Sequence, residues 1–349
     1  MNMNIGYVNI NSGNPRDTTT IRGLRENGVV VTEITDNTSG WKKFIRITQK
    51  IRGGENDFDL VIVGYTGGIL VPWLWLTERR PIVYNALASF FESMIISRKV
   101  GRKFSFSGFK YWIIDWLAFS LSKSILVESE HQKNYIHKTF HTSSDKIVVH
   151  LTGVDNSSFY FDPSVKKLKQ FTVLFRGKFL PEAGVDIVLR AAKMLEGKDI
   201  GFRILGHGLL EEEARWLIGD LELKNVELIT EYLPLNKLRE KMLECHLSLG
   251  QMANHPRLQN TIPHKAFESL AMKLPYLTGR QPAILEILKE DGTCFCCQPG
   301  NSEDLTAKIL ELKEKPEDLE KIKERGFNLF QKTLTTKAMG QELIKRIRV

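Results

Sequence analysis

The residues best suited to chemistry lie in one stretch, NTIPHKAFESLAMKLPYLTG, residues 260–279. Lys265 and Glu268 stand one turn apart near the start of an expected helix. Asn260 and Thr261 are good N-cap residues, and Pro263 is tolerated in a first turn, where its missing N–H breaks no bond. The free N–H groups and positive dipole end of such a helix attract an anion. A lysine beside them suits a diphosphate, and a carboxylate one turn on suits the diol of a ribose. The competing reading is a surface helix with an i,i+3 salt bridge.

The elements around these residues must hold them in place. Ala266, Phe267, Leu270 and Ala271 recur at helical spacing, Pro275 cannot continue the helix, and residues 276–278 form a short buried strand. The same alternation runs along the chain. Residues 60–64, LVIVG, form a continuous apolar run, as in a strand covered on both faces. Residues 171–175 form a strand that opens into RGKFLPEAG, and residues 200–205 one that ends in GHGLLEEE. Further helices are expected over 41–52, 185–195 and 283–288, and over a tail from 317 to 348 that ends basic. Strands alternating with helices imply parallel sheets, whose ligands bind beyond the carboxyl ends of the strands. Gly13, Gly177, Gly206 and Gly208, with Lys178 and His207 beside them, all fall in such strand-to-helix loops. Each glycine alone also suits a plain turn, and His207 also suits a solvent-facing side chain.

The 349 residues accommodate two domains, and the net charge of +8 suits a partner rich in phosphate. No apolar run is long enough to span a bilayer, and the N-terminus reads as a strand rather than a signal peptide. The four cysteines, Cys245, Cys294, Cys296 and Cys297, lack zinc-finger spacing, so reduced thiols and no metal site are expected. A polar stretch, DPSVKKLKQ, forms the natural linker. The expected organisation is α/β: residues 1–165 as one Rossmann-like α/β/α domain, 170–330 as a second facing it across a cleft, and 331–349 as a C-terminal helix packing back on the first.

Residues 98–112 differ from their surroundings. Arg98, Lys99, Arg102, Lys103 and Lys110 interleave with Phe104, Phe106, Phe109, Tyr111 and Trp112. Cations with aromatic wedges suit an anionic membrane surface. A solvated basic loop whose aromatic residues pack inward is the plain alternative. Single-stranded nucleic acid would take the same composition but is not the partner expected.

Five pieces in order, KIVVHLTGVDNSSF, VLFRGKFLPEAGVDIVLRAAKML, FRILGHGLLEEEARWLIGDLELKNVELI, NTIPHKAFESLAMKLP and QPGNSEDLTAKILEL, resemble the retaining family-four (group 1) glycosyltransferases of the GT-B fold. Their spacing matches that family across residues 124–312. The resemblance implies a nucleoside diphosphate sugar as donor substrate, bound mainly by the second domain, no other cofactor, and a glycan or lipid-linked acceptor on the first. The reduced thiols suit a cytoplasmic protein, peripheral to the membrane face if residues 98–112 touch lipid. Gly177, Gly206 and Gly208 match loop glycines near the donor. Lys178 falls where an arginine usually meets the diphosphate. Glu268 matches the second glutamate of the paired motif, on the ribose.

Two positions depart from the pattern. The usual lysine is Ala183, and the first glutamate is Asn260, which can still hydrogen-bond a sugar hydroxyl. Lys265, Lys178 or Arg176 could replace the missing cation, although Arg176 is expected to point to the opposite face. Asn85 and Ser89 stand where the family often has a histidine. Alternatives on the same fold are a sugar-nucleotide 2-epimerase and a non-catalytic sugar-nucleotide binder. His150 reads as a satisfied core histidine, and Asp155 as a turn cap.

Overall fold

The computed structural model describes residues 3–10, 13–53 and 57–347. Met1, Asn2, Asn11, Ser12 and Arg348, on which parts of the first-strand, loop and tail expectations fall, lie outside them. The chain divides into two compact units, residues 1–155 with 334–349 and residues 156–333.

The first unit is a sheet of parallel strands: β1 (Asn4–Asn9), β2 (Val30–Thr35), β3 (Leu60–Val63), β4 (Ile82–Leu87), β5 (Ser124–Val127) and β6 (Ile147–Val149), in the order β2-β1-β3-β4-β5-β6. Between them run α1 (Pro15–Glu26), α2 (Lys42–Arg52), α3 (Leu70–Thr77), α4 (Phe106–Leu121) and α5 (Glu130–Phe140). The caps are local. Asn14 accepts from the Arg16 N–H ahead of Pro15, and Ser129 accepts from the Gln132 N–H. All four β3 residues are buried, as their unbroken apolar run requires. A π turn at Glu92–Ser97 carries no clear sequence signal.

The second unit repeats the plan with β7 (Phe171–Arg176), α6 (Val185–Met194), β8 (Ile200–Leu205), α7 (Glu211–Asp220), β9 (Val226–Ile229), α8 (Leu235–Leu243), β10 (Leu247–Leu249), α9 (His264–Ala271), β11 (Tyr276–Gly279), β12 (Phe295–Cys297), α10 (Ser302–Glu314) and α11 (Pro316–Leu329). Its parallel strands run β12-β11-β10-β7-β8-β9. Val173, Phe175, Leu247 and Leu277 from the strands meet Val188, Leu189 and Ile309 from the helices in one core. The final helix, α12 (Thr336–Ile347), belongs to the first unit and packs on α1.

Three local expectations change. Residues 283–288 contain only a single 3-10 turn, Ile284–Glu286. The division between units falls at residue 155, ahead of the polar linker. Residues 159–168 are fastened to the second unit: Arg239 lies 4.0 Å over the Tyr160 ring, and Lys167 donates to the carbonyls of Leu243 and Cys245. Third, α9 starts at His264 with Pro263 as its N-cap, so neither Asn260 nor Thr261 caps it. Their N–H groups instead close a preceding 3-10 turn onto the Arg257 carbonyl, each at 3.1 Å.

Candidate functional site

In the second sheet the strand order reverses between β7 and β10. That topological switch is where open α/β sheets receive ligands. β7 ends in Arg176 and runs into Gly177 and Lys178. β10 is followed by Gly250, and α9 lies between β10 and β11.

Four side chains converge there. Glu268 is 1% exposed, and both its carboxylate oxygens accept from the Arg176 guanidinium. The His264 Nδ1, one turn earlier on α9, lies 3.0 Å from a Glu268 oxygen. A carboxylate only accepts, so Nδ1 carries the proton. Burial opposes ionisation of Glu268, but Arg176 and His264 outweigh it and hold the carboxyl down at about 2. Arg176 therefore points toward Glu268, not to the opposite face. Residue 176 is the last of its strand, and its long side chain also lies 5.6 Å from the Phe159 ring.

Lys265 is the fourth. It is 6% exposed, with Nζ 4.0 Å from the Phe175 ring centroid and 3.4 Å from the Gly250 carbonyl. Burial, with Arg176 adding to it, brings its ammonium down to about 7 against the opposing pull of Glu268. A Cβ on Gly177 would stand 3.2 Å from the Lys265 Cε. Gly177 thus leaves the lysine bordered by bare backbone. A buried cation, an ionised carboxylate and a charged guanidinium at a strand-end switch can bind an anion and a diol together.

The loop glycines pack on one another. A Cβ on Gly206 would lie 1.9 Å from the Gly177 carbonyl oxygen, and one on Gly208 would meet the Phe179 backbone at 2.9 Å. The Phe179 N–H donates to the His207 carbonyl at 2.9 Å, locking the two loops side by side. Lys178 and His207 are exposed beside them. Asn260 and Thr261 are half-buried in the loop before α9, where the Thr261 Oγ1 is buried without a hydrogen-bond partner. Ala183 is fully buried in the apolar core, its N–H on the Leu180 carbonyl. A lysine there would have to displace packed neighbours.

The first unit holds its own polar cluster at the strand ends. Buried Arg16 donates to Asn85 at 2.6 Å and to Thr152 at 3.2 Å, and Asn85 donates to the Tyr7 hydroxyl at 2.8 Å. His150 meets the Thr20 hydroxyl at 3.1 Å, and burial with nearby Arg16 lowers it to about 3. Ser89 accepts from the Glu92 N–H. Asp155 pairs with Arg22 of α1. Gly13 precedes α1 in a left-handed conformation, φ +83°, with open space where a Cβ would stand.

Residues 156–329 match the family described as Glycosyl transferases group 1. That stretch takes in every member of the Glu268 cluster. The match lies wholly within the second unit. An uncharacterised glycosyltransferase of Methanocaldococcus jannaschii is 24% identical over 236 residues, 67% of this chain and 60% of its own length. Two solved structures match nearly end to end, each covering 98% of both chains: Anabaena HepE with UDP and glucose, at TM-score 0.76 and 16% identity, and sucrose-phosphate synthase from Thermosynechococcus elongatus, at 0.80 and 11%. At such identities they show the fold, which is GT-B, with two Rossmann-like α/β/α units.

The sequence singled out Lys265, Glu268 and Gly177, and these three lie together. It missed His264, although a histidine four residues before Glu268 shares its helix face.

Proposed function

We propose that the protein is a retaining glycosyltransferase that moves a sugar, a hexose in the simplest case, from a nucleoside diphosphate to a hydroxyl of a glycan or lipid-linked saccharide. Such a reaction would serve polysaccharide synthesis in the cytoplasm. The observation that carries this reading is the buried Glu268 carboxylate held by half-buried Arg176 and His264, with Lys265 beside Gly177, in the unit that matches the glycosyltransferase family. Glu268 is ionised and only accepts, so ribose hydroxyls can donate to its remaining lone pairs. Lys265 takes the diphosphate, with Lys178 at the exposed edge and Asn260 on a sugar hydroxyl. Structurally similar HepE holds UDP and glucose, which supports a nucleotide-sugar donor.

In the transfer, the acceptor oxygen forms a bond to the anomeric carbon as the bond to the diphosphate breaks. The acceptor proton passes to the leaving phosphate. Charge grows on the diphosphate as it departs, where a preorganised cation lowers the barrier most. Incubating the protein with a panel of nucleoside diphosphate sugars and assaying release of the nucleoside diphosphate tests this. Release that depends on acceptor and is lost in Glu268→Ala is expected. A 2-epimerised sugar as product, or donor binding without turnover, would replace the reading.

A further inference from the structure

The nucleotide site leaves one conspicuous surface of the first unit unexplained. Phe104, Phe106 and Phe109 are 95%, 85% and 60% exposed. Along α4, Phe106, Phe109, Ile113 and Trp116 recur every three or four residues and line one outward face. Gly108, Asp115, Ala118 and Phe119 occupy the buried side. A helix on a water-facing surface carries polar residues on that outer face. Within residues 98–112, Trp112 and Tyr111 turn inward, stacking on Phe140 and Phe90. Neighbouring α3 adds exposed Trp75 and Leu76.

Arg98, Lys99, Arg102, Lys103 and Lys110 surround this face, all exposed. Residues 93–114 contain no Asp or Glu, and among the described residues none of these five cations forms an ion pair. Phenylalanine and aliphatic side chains beside cations of a single sign complement a surface that is apolar within and anionic at its boundary. A lipid bilayer with acidic headgroups has that chemistry. A protein interface would set charges of mixed sign around its apolar centre, and aliphatic Val100, Ile113 and Leu76 offer nothing to nucleobases.

We propose that residues 98–116 dock the first unit onto an anionic membrane, the phenylalanines entering the headgroup layer while the lysines and arginines meet lipid phosphates. The acceptor is then presented from a lipid surface. The docking surface is independent of the nucleotide site, so either idea can fail alone.

The full chain is sedimented with phosphatidylcholine vesicles, with and without about 30% phosphatidylglycerol, at low and high salt. Binding confined to the acidic vesicles and released by salt is expected. Lys99→Glu with Arg102→Glu and Lys103→Glu should weaken it about a hundred-fold, at about five-fold per lost cation. Phe104→Ser with Phe106→Ser and Phe109→Ser should weaken it at unchanged Tm. Should a triple variant fold poorly, Phe104→Ser alone, at the most exposed of the three, must still reduce binding. Equal binding to neutral vesicles, no binding, or full binding by the charge-reversed protein would overturn the proposal. So would a dimer that the phenylalanine changes dissolve, or tight binding to a single-stranded oligonucleotide without lipid binding.

Discussion

The Lys265 ammonium lies 4.0 Å from the centroid of the Phe175 ring, shut away from water. The folded state holds this amine at about 7, whereas an unfolded lysine titrates near 10.5. Between these values the folded protein binds fewer protons than the unfolded chain, so stability should rise with pH across that window. Replacing Lys265 with methionine, which fills similar space without charge, should raise Tm at neutral pH and flatten that rise. The gain is expected at about 1–4 kcal/mol, the range seen when buried charge gives way to apolar side chains. Thermal unfolding of both proteins from pH 7 to 10 checks it, and a Lys265→Met protein less stable than its parent would count against a buried, costly charge.

The same lysine should repay that cost when the diphosphate arrives. An anion beside Nζ raises its pKa, so donor binding takes up a proton, and affinity should fall as pH rises above about 7, at most about ten-fold per unit. Lys265→Met should remove this dependence. It should also lower turnover by roughly ten- to a hundred-fold, the loss expected for a charge-assisted contact worth about 1.5–3 kcal/mol in the transition state. Calorimetry across pH and single-turnover rates separate the two effects. Normal turnover in the variant would pass the role to Lys178 with Arg176.

Much of this arrangement is legible in the chain. Alternating strands and helices give both sheets, and the i,i+3 spacing sets Lys265 and Glu268 on neighbouring turns. The cap of α9 is not legible, because the Arg257 carbonyl competes for the Asn260 and Thr261 N–H groups and only tertiary structure decides which geometry wins. The direction of Arg176 is hidden for a related reason. Strand alternation governs side chains within a sheet, but at its last residue a long guanidinium can turn to a buried carboxylate 92 positions away. The loop glycines read as places where ligand meets backbone, yet at Gly206 and Gly208 the close neighbour is another loop of the protein. Which of the basic segment's aromatic residues face outward depends on the helical phase of α4, which its Ser105 cap and the packing of Gly108, Asp115, Ala118 and Phe119 set.

Glu268→Ala should do two things. It should raise the donor KM strongly, because the ribose loses its acceptor. It should also lower Tm, since Arg176 and His264 lose a carboxylate that is fully buried. Removing one member of such a buried pair typically costs about 3–5 kcal/mol. Because the folded carboxyl is held at about 2 against roughly 4.5 unfolded, its contribution is present above pH 4.5 and lost as pH falls toward 2. Glu268→Gln, which keeps the volume, should lose this acid-sensitive component while unfolding less readily than the alanine variant. Acid titration of all three proteins by circular dichroism decides it. An alanine variant with unchanged Tm would place the carboxylate on the helix surface.

Gly23 of α1 and Gly340 of α12 fix where the chain's last helix crosses its first. A Cβ on Gly340 would lie 2.2 Å from the Gly23 carbonyl oxygen, and one on Gly23 would lie 2.5 Å from the Thr336 carbonyl oxygen. Backbone meets backbone here, so no side chain can swing aside to make room. Hydrogen bonds flank the crossing, from Asn27 to the Lys337 carbonyl at 2.8 Å and from Thr336 to Glu26 at 2.6 Å. Gly340→Ala must push the helices apart or undo these bonds. Overpacking of this kind costs about 1–3 kcal/mol, enough to lower the Tm of the first unit by several degrees. The Glu268 cluster lies wholly in residues 156–333. Nucleoside diphosphate affinity should therefore stay unchanged below the new Tm. Hydrogen exchange should rise in α1 and α12 and leave α9 as it was. Unchanged stability would mean that α12 can shift along α1 at no cost.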